Sequence, residues 1–243
     1  MKADTERLSL REKLRRAVYW LVVLSFAAAI IYCIIRIPGA PAHESDDGGQ
    51  TKADYIMTLV QAVLGLVGLF LPAMLAKRIQ FYIPPGLYFT YVIFLYCSMF
   101  LGEMRQFYYT VPHWDTLLHG CSGLMLGALG FCVVSQLNQN ENVRLSLSPG
   151  FEALFAFCFA LSLGAIWEIC EFTVDGVFGV NMQKFALQDG TLLIGRAALR
   201  DTMKDLIVDC GGAGIMSLLG YVSLRYRKGW FRDLFGGKKV PRA

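Results

Sequence analysis

Six apolar stretches constrain what this chain folds into more than any other feature: residues 17–35, 55–75, 87–101, 116–137, 151–174 and 206–224. A helix needs about 20 such residues to cross roughly 30 Å of hydrocarbon, and most of the six approach that length. In lipid every backbone N–H and C=O must be satisfied within the segment, which selects helices. The expected fold is all-α, a polytopic membrane helix bundle of six transmembrane helices. The third stretch is the short one. Pro84-Pro85 and the run Gln80-Phe81-Tyr82 precede it, which points to an interfacial approach that lengthens or tilts the helix. Composition agrees: the chain is 55% hydrophobic and 17% charged, with a mean hydropathy of +0.46, which places it among integral membrane proteins.

The basic residues then set the orientation. With six spans, 16 of the 23 Lys and Arg residues fall on one side: the segment before the first span, Lys77 and Arg78, Arg144, and the tail from Arg225 onward. By the positive-inside rule both termini are cytoplasmic. The organisation expected is a basic segment at 1–16, a membrane domain at 17–224 and a basic tail at 225–243, in the inner (plasma) membrane. The net charge of +4 therefore reports topology, and the expected partner is membrane lipid, with no nucleic acid. The small-residue run at 40–42 resembles a signal-peptidase site, but the apolar run before it exceeds the roughly 7–15 residues of a signal core, which favours a retained anchor.

Against this apolar background the segment "WEICEFTVD", residues 167–175, stands out. The fifth span runs outward, so Glu168, Glu171 and Asp175 lie toward its outer end. "HWDTLLHG" opens the fourth span with Asp115 and His119, and "RDTMKDLIVD" opens the sixth with Asp201, Asp205 and Asp209. The spacings of three and four put each set on one helix face. Three segments distant in sequence thus deliver ionisable residues to one shallow layer of the membrane.

Carboxylates gathered there each face a penalty of several kcal/mol on leaving water, plus mutual repulsion, unless a cation or protons compensate. Arg105, Arg196, Arg200 and Lys204 are the local basic candidates, placed to neutralise only the rim. A bound divalent cation is the economical remedy, and carboxylate oxygens with one imidazole suit Mg, Mn, Ca, Fe or Zn. The expected ligand set is His119, Glu168, Glu171 and Asp205, surrounded by Asp115, Asp175, Asp201 and Asp209. Each residue also has a plainer reading. Asp115, Asp175 and Asp201 could be solvated helix-end residues, and His119 a polar packing residue. The seven cysteines form no CxxC pair and read as packing residues, with Cys170 projecting away from the glutamates.

The segments "HWDTLLHGCSGLMLGALGF", "AIWEICEFTVD" and "DTMKDLIVDCGGAG" resemble an uncharacterised bacterial inner-membrane family that includes YjdF, and more distantly VanZ-like proteins. The resemblance covers roughly the last half of the chain. It implies a six-helix membrane fold and supplies no established chemistry. A CDP-alcohol phosphotransferase is rejected, because Ala186 stands where the first Asp of its motif belongs and Leu193-Ile194 where Ala-Arg belong. A di-iron bundle is disfavoured by the absence of paired Glu-x-x-His motifs.

Gly120, Gly123, Gly127 and Gly130 on the fourth span, with Gly211, Gly212 and Gly214 on the sixth, predict close packing of these two helices. The long outer loop from Gly176 to Lys204 alternates apolar and charged residues, as an interfacial segment or lid does. Two functions remain. The first is a metal-dependent hydrolase or transferase acting on a lipid-linked or extracytoplasmic small-molecule substrate. The alternative is an ion- or proton-coupled transporter using the same cluster. The near absence of ionisable residues from the inner halves of the last three spans favours the first.

Overall fold

Among the described residues of the computed structural model, six helices are long and apolar enough to cross a membrane: Leu10–Gly39, Lys52–Arg78, Pro85–Met104, Trp114–Asn138, Pro149–Phe178 and Arg200–Arg225. The structure describes residues 10–42, 50–139, 146–187 and 190–226. Most of the basic N-terminal segment, Arg144, Asp189 and the tail beyond Tyr226 lie outside them. The elements are α1 (Leu10–Arg36), α2 (Lys52–Arg78), α3 (Pro85–Leu95), a π-helical segment (Tyr96–Met104), the short α4 (Phe107–Thr110), α5 (Trp114–Gln139), α6 (Pro149–Phe178) and α7 (Arg200–Arg225). The all-α expectation holds, and no strand occurs among the described residues beyond an isolated Ala186–Leu192 bridge. The short third span is lengthened at both ends. Pro85 opens it with a backbone angle already suited to a helix, and the π-helical turns carry it on to Met104.

The chain divides into two compact units. The first holds α1, α2 and the third span from Tyr88 onward. Its core is Val22, Phe26, Ala62, Leu69 and Val92, and a Cβ on Gly65 would stand 2.5 Å from the Phe26 ring. The Thr51–Asp54 capping box starts α2. Pro72 inside α2 has no N–H to offer the Gly68 carbonyl one turn back. The Tyr91 hydroxyl donates to that carbonyl at 2.7 Å, and Tyr88 donates to the Leu69 carbonyl at 3.0 Å. The span thereby meets the requirement that buried backbone groups in lipid be paired.

The second unit holds α5, α6 and α7, with residues 80–87 packed on it. Gln136 clamps the approach to the third span, donating to the Tyr82 carbonyl at 2.8 Å and accepting its N–H at 2.9 Å. Helices α5 and α7 pack backbone against backbone. A Cβ on Gly123 would lie 2.6 Å from the Asp209 carbonyl oxygen, and one on Gly212 would lie 2.7 Å from the Gly120 carbonyl oxygen. The glycine-based expectation of close packing is met, with small residues substituting for a hydrophobic driving force that lipid does not supply. Ser148 caps α6, Pro149 occupies its first turn, and Gly179 ends it in the left-handed conformation. One ionisable residue lies in the half of this unit that the sequence reading takes as inner, near the start of α6. Glu152 is buried, and accepts hydrogen bonds from Ser135 at 3.0 Å and Asn138 at 2.9 Å.

Candidate metal centre

The eight residues singled out by sequence all lie at the end of the second unit where α5 and α7 begin and α6 finishes. Helix geometry explains which of them face inward. On α6, Glu168 and Asp175 are seven residues apart, within about 20° of one line, whereas Glu171 is turned roughly 60° from Glu168. Glu168 and Asp175 are accordingly buried and Glu171 is half-buried. Cys170 is exposed, as its helical position predicts. On α7, Asp205 and Asp209 are each only 2% exposed.

His119 organises the centre. Its Nδ1 stands 3.2 Å from Asp209 Oδ2. With Nδ1 directed at that carboxylate, Nε2 is the ring atom left to face the remaining oxygens. The other oxygen of Asp209 accepts from Ser122 at 2.8 Å, which fixes the carboxylate as it orients the ring. Gly164 on α6 makes room for this carboxylate, since a Cβ there would lie 2.5 Å from Oδ2. Around Nε2 stand Asp115 Oδ1 at 3.7 Å and Glu168 Oε1 at 4.0 Å. Asp115, His119 and Asp205 each offer one ligand atom, all within 4.8 Å of one another. Two ligands of one ion are separated by at most twice the metal–ligand distance, about 4–5 Å, so this spacing suits a single cation. Asp205 Oδ1 and Glu168 Oε1 are buried and receive no hydrogen bond from the protein, and a buried bare oxygen of this kind calls for a cation or proton.

The geometry therefore redistributes the expected roles. Asp115, expected in the surrounding shell, belongs to the inner group because it shares the inward face of α5 with His119, one turn away. Glu171, expected in the inner group, stands on the shoulder of α6 and remains in electrostatic range of Glu168, Asp115 and His119. Asp209 supports the ring from behind. Asp175 takes the Met182 N–H at 2.7 Å and the Gln183 N–H at 2.9 Å, so its carboxylate anchors the following loop.

That loop is folded over the centre. Asn181 brackets Ala186 with two side-chain bonds, and backbone bonds join Phe185 to Leu193 and Leu187 to Thr191. Two polar residues that sequence reasoning passed over arrive with it. Gln183 donates to Thr202 at 3.0 Å and to Glu168. Lys184, in the left-handed region at φ 48°, turns its ammonium onto Asp115 and lies 3.2 Å from Asp201. Burial works against the charged ammonium, but Asp115 and then Asp201 outweigh it and raise its pKa above the ordinary lysine value. The ammonium therefore stays charged at every physiological pH, and its contribution is lost as pH climbs through that raised value. The only sequence signal for Lys184 was its exception to the basic-inside pattern. Arg196 and Arg200, expected as rim cations, are exposed, while Lys204 acts electrostatically on Asp201. Arg105 belongs to the other unit.

Comparison with known proteins places this arrangement in context. The profile of a family described as "Predicted membrane protein (DUF2238)" matches residues 17–226. An uncharacterised protein of Thermotoga maritima is 28% identical over 130 residues, which cover 53% of this chain and 57% of that relative. The chain thus spans little more than half the length of the relative it matches. No solved structure matches.

Proposed function

This chain belongs to the DUF2238 family of predicted membrane proteins, and we propose that it binds a divalent cation through Asp115, His119 and Asp205 to act as a membrane hydrolase or transferase. One observation carries the reading: an imidazole nitrogen and two carboxylates from two helices lie within one coordination sphere, with a carboxylate holding the far side of the imidazole. A carboxylate behind a ligating histidine fixes its tautomer and raises its basicity. Bound there, the cation would supply Lewis acidity toward a substrate oxygen and acidify water. Glu168, with its bare oxygen beside the histidine, is the carboxylate placed to hold a proton at Oε1. Lys184, held on Asp115 and Asp201, adds a positive charge at the edge of the site that an anionic substrate group would meet. The transporter alternative needs a polar route to the other end of the unit, where Glu152, Ser135 and Asn138 form a buried polar group; along α5 and α6 the apolar cluster Phe131, Val134 and Ala156 lies between that group and the centre.

The test is elemental analysis of protein extracted in mild detergent and equilibrated with Mn or Zn. The wild type should hold about one equivalent per chain, and Asp205→Asn should fall to background. A wild-type protein that stays folded and takes up neither metal would overturn the reading.

The same proposal places the chain in the inner membrane with both termini cytoplasmic and the centre facing outward. In a cysteine-free background, Asp47→Cys and Asp189→Cys should react with an impermeant maleimide in intact cells, and Arg225→Cys only after permeabilisation. Protection of either loop position in intact cells contradicts this topology.

A further inference from the structure

Beside the centre lies a cleft of about 680 Å³, walled by α6, the first turns of α7 and the loop between them. That volume is within the roughly 300–1,000 Å³ typical of small-molecule sites. Its lining is polarised. Ile169, Phe172, Phe185 and Leu206 are among its apolar walls, while Glu168, Asp175, Gln183 and Thr202 supply polar groups. Glu168 is shared with the cation centre, so the cleft and the centre are contiguous. Both flanking helices are candidate membrane spans, and Ile169 and Phe172 of α6 are more than half exposed at the cleft. In a spanning helix such side chains meet hydrocarbon. What sets this surface apart from an ordinary lipid-facing one is its concavity together with buried polar groups at one edge.

From this we infer that the cleft holds a hydrocarbon chain of a membrane lipid whose oxygen-rich headgroup is presented to the cation centre; the substrate is a lipid. The inference rests on the proposed cation site and names its substrate class. A water-soluble substrate would gain nothing from an apolar wall, whereas an amphiphile matches both parts of the lining. Headgroup oxygens suit a hard cation, and Gln183, donating to Glu168 and Thr202, ties the polar edge of the cleft to the centre.

The probe is phosphatidylglycerol carrying a diazirine near the end of one acyl chain, in vesicles containing the purified full-length protein, with crosslinks mapped by mass spectrometry. Crosslinks should concentrate at 165–176 and 198–206. Ala165→Trp, which fills the cleft, should lower labelling there about tenfold, the factor expected for a modest loss of binding free energy. Ala198→Trp, from the opposite wall, provides an independent test should the first variant fold poorly. Bound metal is measured on the same samples. Metal retained with labelling spread evenly over all spans, and unchanged by a well-folded Trp variant, overturns the lipid assignment while sparing the cation site. Cleft labelling that falls in a Trp variant while metal stays constant supports it. Cleft labelling in a wild type that binds no metal upholds the hydrocarbon cleft and overturns the cation reading.

Discussion

His119→Ala is expected to bring bound divalent metal down to background, and Asp209→Ala to weaken metal affinity about 10–100-fold without changing its stoichiometry. The two residues touch, at 3.2 Å, yet serve different ends. His119 turns Nε2 toward the oxygens of Asp115 and Glu168, so its loss removes a ligand. Asp209 holds the opposite ring nitrogen and is itself held by Ser122, so its loss frees the ring to rotate. Titration against a chromophoric chelator distinguishes the two outcomes. Asp209→Ala also leaves buried polar groups without their partner, a change that costs about 1–3 kcal/mol, so melting of each metal-free variant is recorded beside its affinity. Equal affinity in Asp209→Ala and wild type would mean that Asp209 does not position the imidazole.

The second large effect concerns two adjacent glycines. Gly212→Ala should destabilise the protein by about 1–3 kcal/mol, the usual cost of overpacking, whereas Gly211→Ala should leave it nearly unchanged. A Cβ on Gly212 meets the Gly120 carbonyl oxygen at 2.7 Å and the Leu124 nitrogen at 3.0 Å, and these backbone atoms have no rotamer to escape into. A Cβ on Gly211 meets nothing within 4 Å. Unfolding in mixed micelles gives the comparison, and metal affinity should drop with Gly212→Ala alone, because α5 and α7 carry His119 and Asp209. Equal stability of the two variants would show that close contact between the helices is dispensable.

This pair also illustrates how far sequence reading reached. Spacing identified the glycines of the fourth and sixth spans as packing residues, yet it treated Gly211 and Gly212 alike. A rotation of about 100° per residue separates them, and the position of the neighbouring helix decides which one matters. The same holds for the acidic residues. That Glu168, Glu171 and Asp175 share a broad face follows from their spacing alone. That Glu168 reaches His119 while Glu171 stays on the shoulder depends on where α5 and α7 meet that face.

What the sequence determined by itself is local or additive. Six apolar runs, the helical periodicity of ionisable residues, and the placement of those residues at matching ends of three spans all follow from chain geometry and from the cost of exposing polar groups to lipid. Only the tertiary structure decided the partners. It set Asp115 beside His119 and Asp205, placed Asp209 behind the ring, committed Asp175 to loop amides, and brought Lys184 onto Asp115 and Asp201 through a left-handed turn in the loop. The physical reason is that a loop residue has no periodicity from which its direction can be read. A helix face, by contrast, is known to within a few tens of degrees before any neighbour is known, and its contacts are settled only by the ångström-scale approach of the backbones beside it.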